Sequence, residues 1–176
     1  SGTSGTITAS GATLNADTIS VASVAANNGS IVSQGDITAA SMSVTNGGSV
    51  TAQTLMASAA VTVANGTLAT TGTDAAASSA GTLTLTDSKA ALGDMTVTGA
   101  TSVTGGSLAA SGLTLGANST FTNGAKVNVG SLDAGGKIIT VGSASDTKST
   151  SMVVEDLTLG GGSLLIDPAW TANGPN

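Results

Sequence analysis

The residues with the most regular spacing in this sequence are six hydroxyl side chains arranged in three pairs. The pairs are Thr84/Thr86, Ser102/Thr104 and Thr120/Thr122, and the interval from each pair to the next is the same. Residues i and i+2 of a strand point to the same side, so each pair would lie side by side on one face. Stacked hydroxyls of this kind can order water, or contact another surface through weak hydrogen bonds of about 1 kcal/mol each.

Charged loop residues form a second set of candidate contacts, which are Asp74, Asp146 and Lys148. They fall in two polar stretches, 70–81 and 143–151, that interrupt an otherwise regular pattern. Because binding residues are often carried on loops held by a rigid scaffold, we expect both stretches to be surface loops that contact a partner.

Catalytic side chains are scarce. The chain has no His and no Cys, so a nucleophilic triad would need Lys or a carboxylate as its base, and thiolate metal sites are excluded. Paired carboxylates can cleave glycosidic bonds, and the candidates are Asp87, Asp94, Glu155, Asp156 and Asp167. Sites of that kind usually also contain basic and aromatic residues, and there is no Arg or Tyr here. We therefore predict solvated surface acids, no enzyme, no cofactor and no metal site.

The charge balance narrows the class of partner. The net charge is −6, with four Lys and no Arg, which disfavours nucleic acid because phosphates must be neutralised by cations. The sequence contains no apolar run long enough for a membrane-spanning helix, and its first residues do not have the pattern of a signal peptide. The regular pattern starts and stops mid-repeat, and we expect residues 1–176 to be one segment of a longer chain.

The elements that would position the hydroxyl pairs are short strands in a repeat. One apolar position follows a hydroxyl residue throughout, at nearly equal intervals. The column is Val24, Val44, Val63, Leu85, Val103, Phe121, Val141 and Leu159, preceded by Ser23, Ser43, Thr62, Thr84, Ser102, Thr120, Thr140 and Thr158. A recurrence of this kind is the signature of a solenoid.

Two further apolar columns complete each repeat. The second contains Ile31, Val50, Leu68, Ala90, Leu108, Val127 and Leu164, with Ile7 as an earlier member; the third contains Leu14, Ile37, Leu55, Met95, Leu113, Leu132 and Met152. Asn-Gly often lies between the first and second, as at Asn28-Gly29, and both residues tolerate the left-handed backbone of a sharp corner. Asn-Gly is also typical of β-hairpins, but hairpins do not require one three-part pattern that recurs at nearly equal intervals.

The predicted fold is therefore all-β, a parallel β-solenoid with three short strands per rung. About 19 residues per rung give eight to nine rungs, and a rod of roughly 40 Å at the spacing of neighbouring strands. The stretch 70–81 lengthens its rung, from Val63 to Leu85, whereas 143–151 is expected to replace the second apolar position without lengthening its rung. Residues 167–176 are expected to be irregular, since Pro168 cannot donate to a ladder.

The stretch from Gly106 to Leu132, with its Leu-Thr-Leu-Gly-Ala-Asn-Ser-Thr-Phe-Thr-Asn-Gly run, resembles the passengers of type V secretion systems. These include autotransporter adhesins and filamentous-haemagglutinin-like proteins. The resemblance implies a right-handed parallel β-helix on the outer-membrane surface of a Gram-negative bacterium, or secreted from it. It also implies an adhesin or adhesin stalk whose partner is a host or bacterial receptor or a second copy. An outer-membrane translocation barrel or partner protein would lie outside this segment.

Two alternatives remain open. The Thr-x-Thr arrangement is also found on ice-binding solenoids, where its spacing organises water, although here it weakens at Thr62/Ala64, Thr140/Gly142 and Thr158/Gly160. A polysaccharide-active β-helix would require Asp87, Asp94 or Glu155 to line one groove.

Overall fold

A computed structural model describes residues 4–72 and 78–167 of the chain. In this part the chain forms 17 strands and no helix, and every strand pairing is parallel. The expected parallel β-solenoid is confirmed. Parallel pairing throughout also rules out the hairpin interpretation of the Asn-Gly corners.

The strands alternate in length around each turn. They are β1 (Thr6–Ser10), β2 (Thr13–Ala16), β3 (Ile19–Asn27), β4 (Ser30–Ser33), β5 (Ile37–Thr45), β6 (Ser49–Ala52), β7 (Leu55–Ala64), β8 (Thr67–Thr70), β9 (Ser78–Thr86), β10 (Lys89–Val97), β11 (Thr101–Thr104), β12 (Ser107–Leu115), β13 (Ser119–Thr122), β14 (Lys126–Asp133), β15 (Ile138–Val141), β16 (Ser151–Thr158) and β17 (Ser163–Ile166).

These strands line three faces, which we name A, B and C. Face A contains β1, the last parts of β3, β5, β7 and β9, and then β11, β13, β15 and β17. Face B contains β2, β4, β6, β8 and the first parts of β10, β12, β14 and β16, and face C contains the remaining parts of the long strands. Long strands thus bend from face C to face A in the first half and from face B to face C in the second. The three strands expected per rung are therefore joined as one long and one short strand.

Stacked apolar side chains fill the narrow interior. On face A the column that contains Val103 runs through Ala9, Ala26, Val44, Val63, Leu85, Val103, Phe121, Val141 and Ile166. This stack has nine layers, within the eight to nine rungs expected. Small and medium aliphatic residues dominate the core, and its aromatic residue, Phe121, is fully buried.

The sharp corners between faces A and B are made by residues with a left-handed backbone. Asn28, Asn46, Asn65, Asp87 and Asn123 have φ between 45° and 52°. The backbone N–H groups of the first four continue the ladder; for example, Asn65 N donates to Thr86 O at 3.0 Å. The sequence signal that predicted these corners therefore had the expected physical cause.

The predicted columns are wrong at the N-terminal end. Val24 pairs with Ile7 and Met42, whereas the partner of Val44 is Ala26. Leu14 lies on face B beside Ile31, and not in the third column. The small Ala26 conceals the inward position, because the larger Val24 two residues earlier also points inward and matches the apolar pattern better.

The predicted columns are also wrong after residue 142. Val141 pairs with Ile166, a longer interval than any between earlier layers of this column, so the stretch 143–151 does lengthen its rung. Met152 consequently lies on face B, Leu164 lies on face A, and Leu159 follows directly after β16 on face C. A loop inserted at the corner between faces A and B, rather than a replaced strand, explains all three shifts.

The other two irregular stretches are shorter than expected where the structure describes them. Thr70 ends β8 and Ser78–Gly81 belong to β9, so both ends of the expected loop 70–81 are strand residues. Residues 73–77, including Asp74, lie outside the described residues. Asp167 N donates to Val141 O at 3.1 Å and extends the ladder by one residue. The rest of 167–176 also lies outside the described part. None of the described segments is a helix that could span a bilayer.

Candidate functional site

The six predicted hydroxyl residues lie side by side on the outer surface of face A. Thr84, Ser102 and Thr120 are register partners on three successive rungs, and Thr86, Thr104 and Thr122 are partners in the adjacent outward column. Inward residues such as Val103 alternate with them and hold them in place. We call these six residues the hydroxyl face.

Hydrogen bonds connect the hydroxyl face along the axis of the rod. Thr120 Oγ1 donates to Ser102 Oγ at 3.4 Å, and the hydroxyl oxygens of Thr104 and Thr122 are 3.4 Å apart. Thr120 is exposed, and the other members are partly exposed. The face therefore presents hydroxyls at the rung spacing of about 4.8 Å.

The first hydroxyl column is longer than the second. It contains Ser43, Thr62, Thr84, Ser102, Thr120 and Thr140 on six successive rungs. The second column is interrupted at Ala64 and Gly142. The expected next pair, Thr158/Gly160, is wrong, because Leu165 pairs with Thr140 on this face.

A polar cleft of about 330 Å³ lies where the hydroxyl face meets the loop between β15 and β16. Every residue that lines it carries a hydroxyl, amide or carboxylate side chain. The lining residues are Thr104, Thr122, Asn123, Ser143, Ser145, Asp146 and Thr147. The structure thus brings two members of the hydroxyl face together with Asp146, which sequence reasoning places in a separate group.

Two side chains attach this loop to the rung beside it. Asn123 Oδ1 accepts hydrogen bonds from Thr147 Oγ1 at 3.0 Å and from Thr147 N at 3.4 Å. Thr150 is buried; its Oγ1 accepts from Gly124 N at 3.1 Å and donates to Asp146 Oδ2 at 3.3 Å. The carboxylate of Asp146 is therefore oriented from the loop side of the cleft.

Lys148 lies outside the cleft lining. Its stem packs over Gly124, where a Cβ atom would be 2.8 Å from Lys148 Cβ, and the residue is exposed. The cleft itself holds one carboxylate among neutral hydrogen-bonding groups. Such an arrangement can accept and donate hydrogen bonds to a polar partner.

The carboxylates required by the polysaccharide-active alternative are separated. Asp94 lines one groove with Asp133, whereas Glu155 lines another with Asn128 and Ser111. The register places Asp94 and Asp156 three rungs apart, which is about 14 Å at the rung spacing. Carboxyl pairs of glycosidases are about 5–9.5 Å apart. In residues 4–72 and 78–167 no group of three or more acidic, His or Cys residues could hold a metal ion.

An apolar cavity at the C-terminal end of the described rod was missed by sequence reasoning. It has a volume of about 400 Å³ and lies between the last layers, lined by residues that include Ile139, Met152, Leu157 and Ile166. Leu165 and Ile166 are 50% and 56% exposed. Consecutive apolar residues at 164–166 were the available signal, but the repeat pattern assigns Leu164 to the second column.

No family model, curated protein or solved structure matches this chain. The class that the fold defines is a parallel β-solenoid.

Proposed function

We propose that this chain is a β-helical passenger segment, displayed on or secreted from a Gram-negative bacterium, that acts as an adhesin or adhesin stalk. The observation that supports this proposal best is the combination of a stiff parallel stack with the hydroxyl face and the polar cleft beside it. The type V resemblance of the stretch from Gly106 to Leu132 supplies the cellular setting.

The stack suits a stalk because each rung pairs with the next along the whole described length. Nine layers at about 4.8 Å give a rod of roughly 40 Å. Repeat proteins are stabilised by contacts between neighbouring repeats, so further rungs would extend such a rod without changing its cross-section.

The hydroxyl face suits attachment because it offers many equivalent weak contacts. Each hydrogen bond contributes about 1 kcal/mol net, so a useful affinity would depend on several of them acting together. The partner in this proposal is a surface receptor or a second copy of the chain.

The test is adhesion of beads coated with the chain to bacterial and host cells. The test variant carries Thr86→Ala, Thr104→Ala and Thr122→Ala, which remove one hydroxyl column. The control carries Thr13→Ala, Thr38→Ala and Thr51→Ala at outward positions of faces B and C. We expect several-fold weaker adhesion for the first variant and normal adhesion for the second. The proposal would be rejected if the unaltered chain adhered no better than uncoated beads, or if the two variants adhered equally.

Ice binding is the second candidate, because hydroxyl pairs occur on three successive rungs at one spacing. Thermal hysteresis and ice-crystal shape are its test. Faceted crystals that become round when Thr104 and Thr122 are replaced by Ala would establish it, and unshaped ice with the unaltered chain would eliminate it.

A further inference from the structure

Basic side chains recur on face B. Lys89 begins β10, Lys126 begins β14, and Ser107 is their register partner on the rung between. The two lysines are exposed. They therefore lie in one outward column two rungs apart, which is about 9.6 Å.

Acidic side chains recur at the same axial interval on face C, in two neighbouring outward columns. Asp94 lies in β10 and Asp133 ends β14, so each acid shares a strand with one of the two lysines. The intervening rung, in β12, has Gly112 and Thr114 at the two corresponding outward positions. Lys89 and Asp94 thus lie on one rung and Lys126 and Asp133 on another, with an uncharged rung between them. Face C carries one more acid, Asp156, on the rung after Asp133.

Small side chains surround these charges. Ala91, Ala109 and Asn128 are the neighbouring outward residues of face B on the three rungs, and all three are exposed and uncharged. On face C, a Cβ atom at Gly112 would be 2.7 Å from Asp94 Oδ1, so the carboxylate lies close over the glycine. Both surfaces can therefore approach another flat surface closely.

We infer that face B of one molecule docks on face C of a second copy, with Lys89 and Lys126 opposite Asp94 and Asp133. Charge complementarity and the equal axial interval support this contact, because rods in register bring both rungs together at once. The two acids are offset sideways by two residues, about 7 Å, which the long lysine side chains can span. The contact joins two different faces, so it is heterologous, and each molecule can bind a neighbour on either side. This self-association goes beyond the adhesion proposed for the hydroxyl face, because it uses faces B and C instead of face A.

Salt concentration distinguishes association through faces B and C from association through the apolar end of the rod. Exposed ion pairs are individually weak and are screened within about 10 Å at 0.1 M salt and 3 Å at 1 M. Association through faces B and C should therefore weaken with added salt. Association through the apolar end near Leu165 and Ile166 would not be weakened, because hydrophobic contact does not depend on screening.

The experiment is sedimentation equilibrium of the whole chain and of two charge-reversed variants, Lys89→Glu/Lys126→Glu and Asp94→Lys/Asp133→Lys. A third variant, Lys137→Glu/Lys148→Glu, has the same net-charge change as the first with both changes outside faces B and C. Thermal melting of each variant verifies that it is folded.

We expect concentration-dependent association of the unaltered chain, weakened at least tenfold in 0.5 M NaCl. Each reversed variant alone should associate at least tenfold more weakly, and an equimolar mixture of the two should associate again. The third variant should resemble the unaltered chain. A monomeric unaltered chain, salt-insensitive association, or a mixture that stays monomeric would overturn the inference. Cell adhesion of coated beads would still be decided separately, so the two failures are distinguishable.

Discussion

Replacement of Thr101 by Val should stabilise the protein. Thr101 takes a core position on face A, beside Leu83 of the preceding rung, and is only 1% exposed. Its Oγ1 atom is buried without a hydrogen-bond partner in the described structure. A buried unsatisfied polar atom costs about 1–3 kcal/mol, and Val has the same branched shape with a methyl in place of the hydroxyl.

The expected gain is therefore about 1–3 kcal/mol in the free energy of unfolding. In a domain of this size each kcal/mol corresponds to about 2–4 °C in Tm. Urea unfolding followed by circular dichroism measures the first quantity, and calorimetry measures the second.

Ser119→Ala is the matched control, because Ser119 is also buried and occupies the next rung of the same column. Its Oγ, however, donates to Ala117 O at 3.1 Å. We expect this variant to lose about 1 kcal/mol. An unchanged or lowered stability of Thr101→Val would refute the inward placement of its unpaired hydroxyl.

Three further changes have defined outcomes. Val103→Asp or Leu108→Asp would bury a carboxylate and should abolish cooperative thermal unfolding, whereas the outward Ser102→Asp should leave a normal transition. Normal melting of both inward variants would contradict their placement in the core. Asn65→Val should lower the free energy of unfolding in urea by about 1–2 kcal/mol, because a branched side chain disfavours the left-handed backbone at φ 52°. Asn65→Gly should be nearly neutral, and equal losses in the two variants would contradict a left-handed backbone at this corner. Thr150→Ala should remove about 1–2 kcal/mol of local stability and speed amide exchange at Thr147, and unchanged exchange would show that Thr150 does not hold the loop.

The central rungs could be predicted from sequence because their spacing is nearly constant. In the face A column that contains Val103, each residue from Val44 to Val141 is bulky and follows a hydroxyl residue, so the pattern alone locates it. The Asn-Gly corners were predictable for a similar reason, since few residues tolerate positive φ.

The ends could not be predicted because the pattern there is ambiguous. Ala26 is inward but small, and Val24 is a more conspicuous neighbour that also points inward. After Val141, a loop that replaces a strand and a loop that is added to a corner give the same local sequence. The pairing of Lys126 with Ser151 decides between them.

The polar cleft could not be predicted either, because the sequence does not specify the position of the loop that lines it. Sequence reasoning identified Thr104 and Thr122 as face residues and Asp146 as a loop residue. Their proximity follows from the hydrogen bonds that attach the loop to Asn123 and Gly124. No local sequence pattern specifies which rung a loop folds against.

Disulfide trapping tests most directly that the stacking of successive rungs builds the hydroxyl face. The chain has no native Cys, and Ser102 and Thr120 are register partners. Neighbouring strands are about 4.8 Å apart, within the Cα separation that a disulfide can bridge. Mild oxidation of Ser102→Cys/Thr120→Cys should therefore give an intramolecular disulfide.

Thr140 lies two rungs from Ser102, at about 9.6 Å, which is too far for a disulfide. Ser102→Cys/Thr140→Cys should therefore keep two free thiols within each molecule. A bridge in the first variant but not in the second is the result predicted here. Free thiols in the first variant, or equal bridging in both, would contradict the stacking on which the hydroxyl face and the proposed role depend.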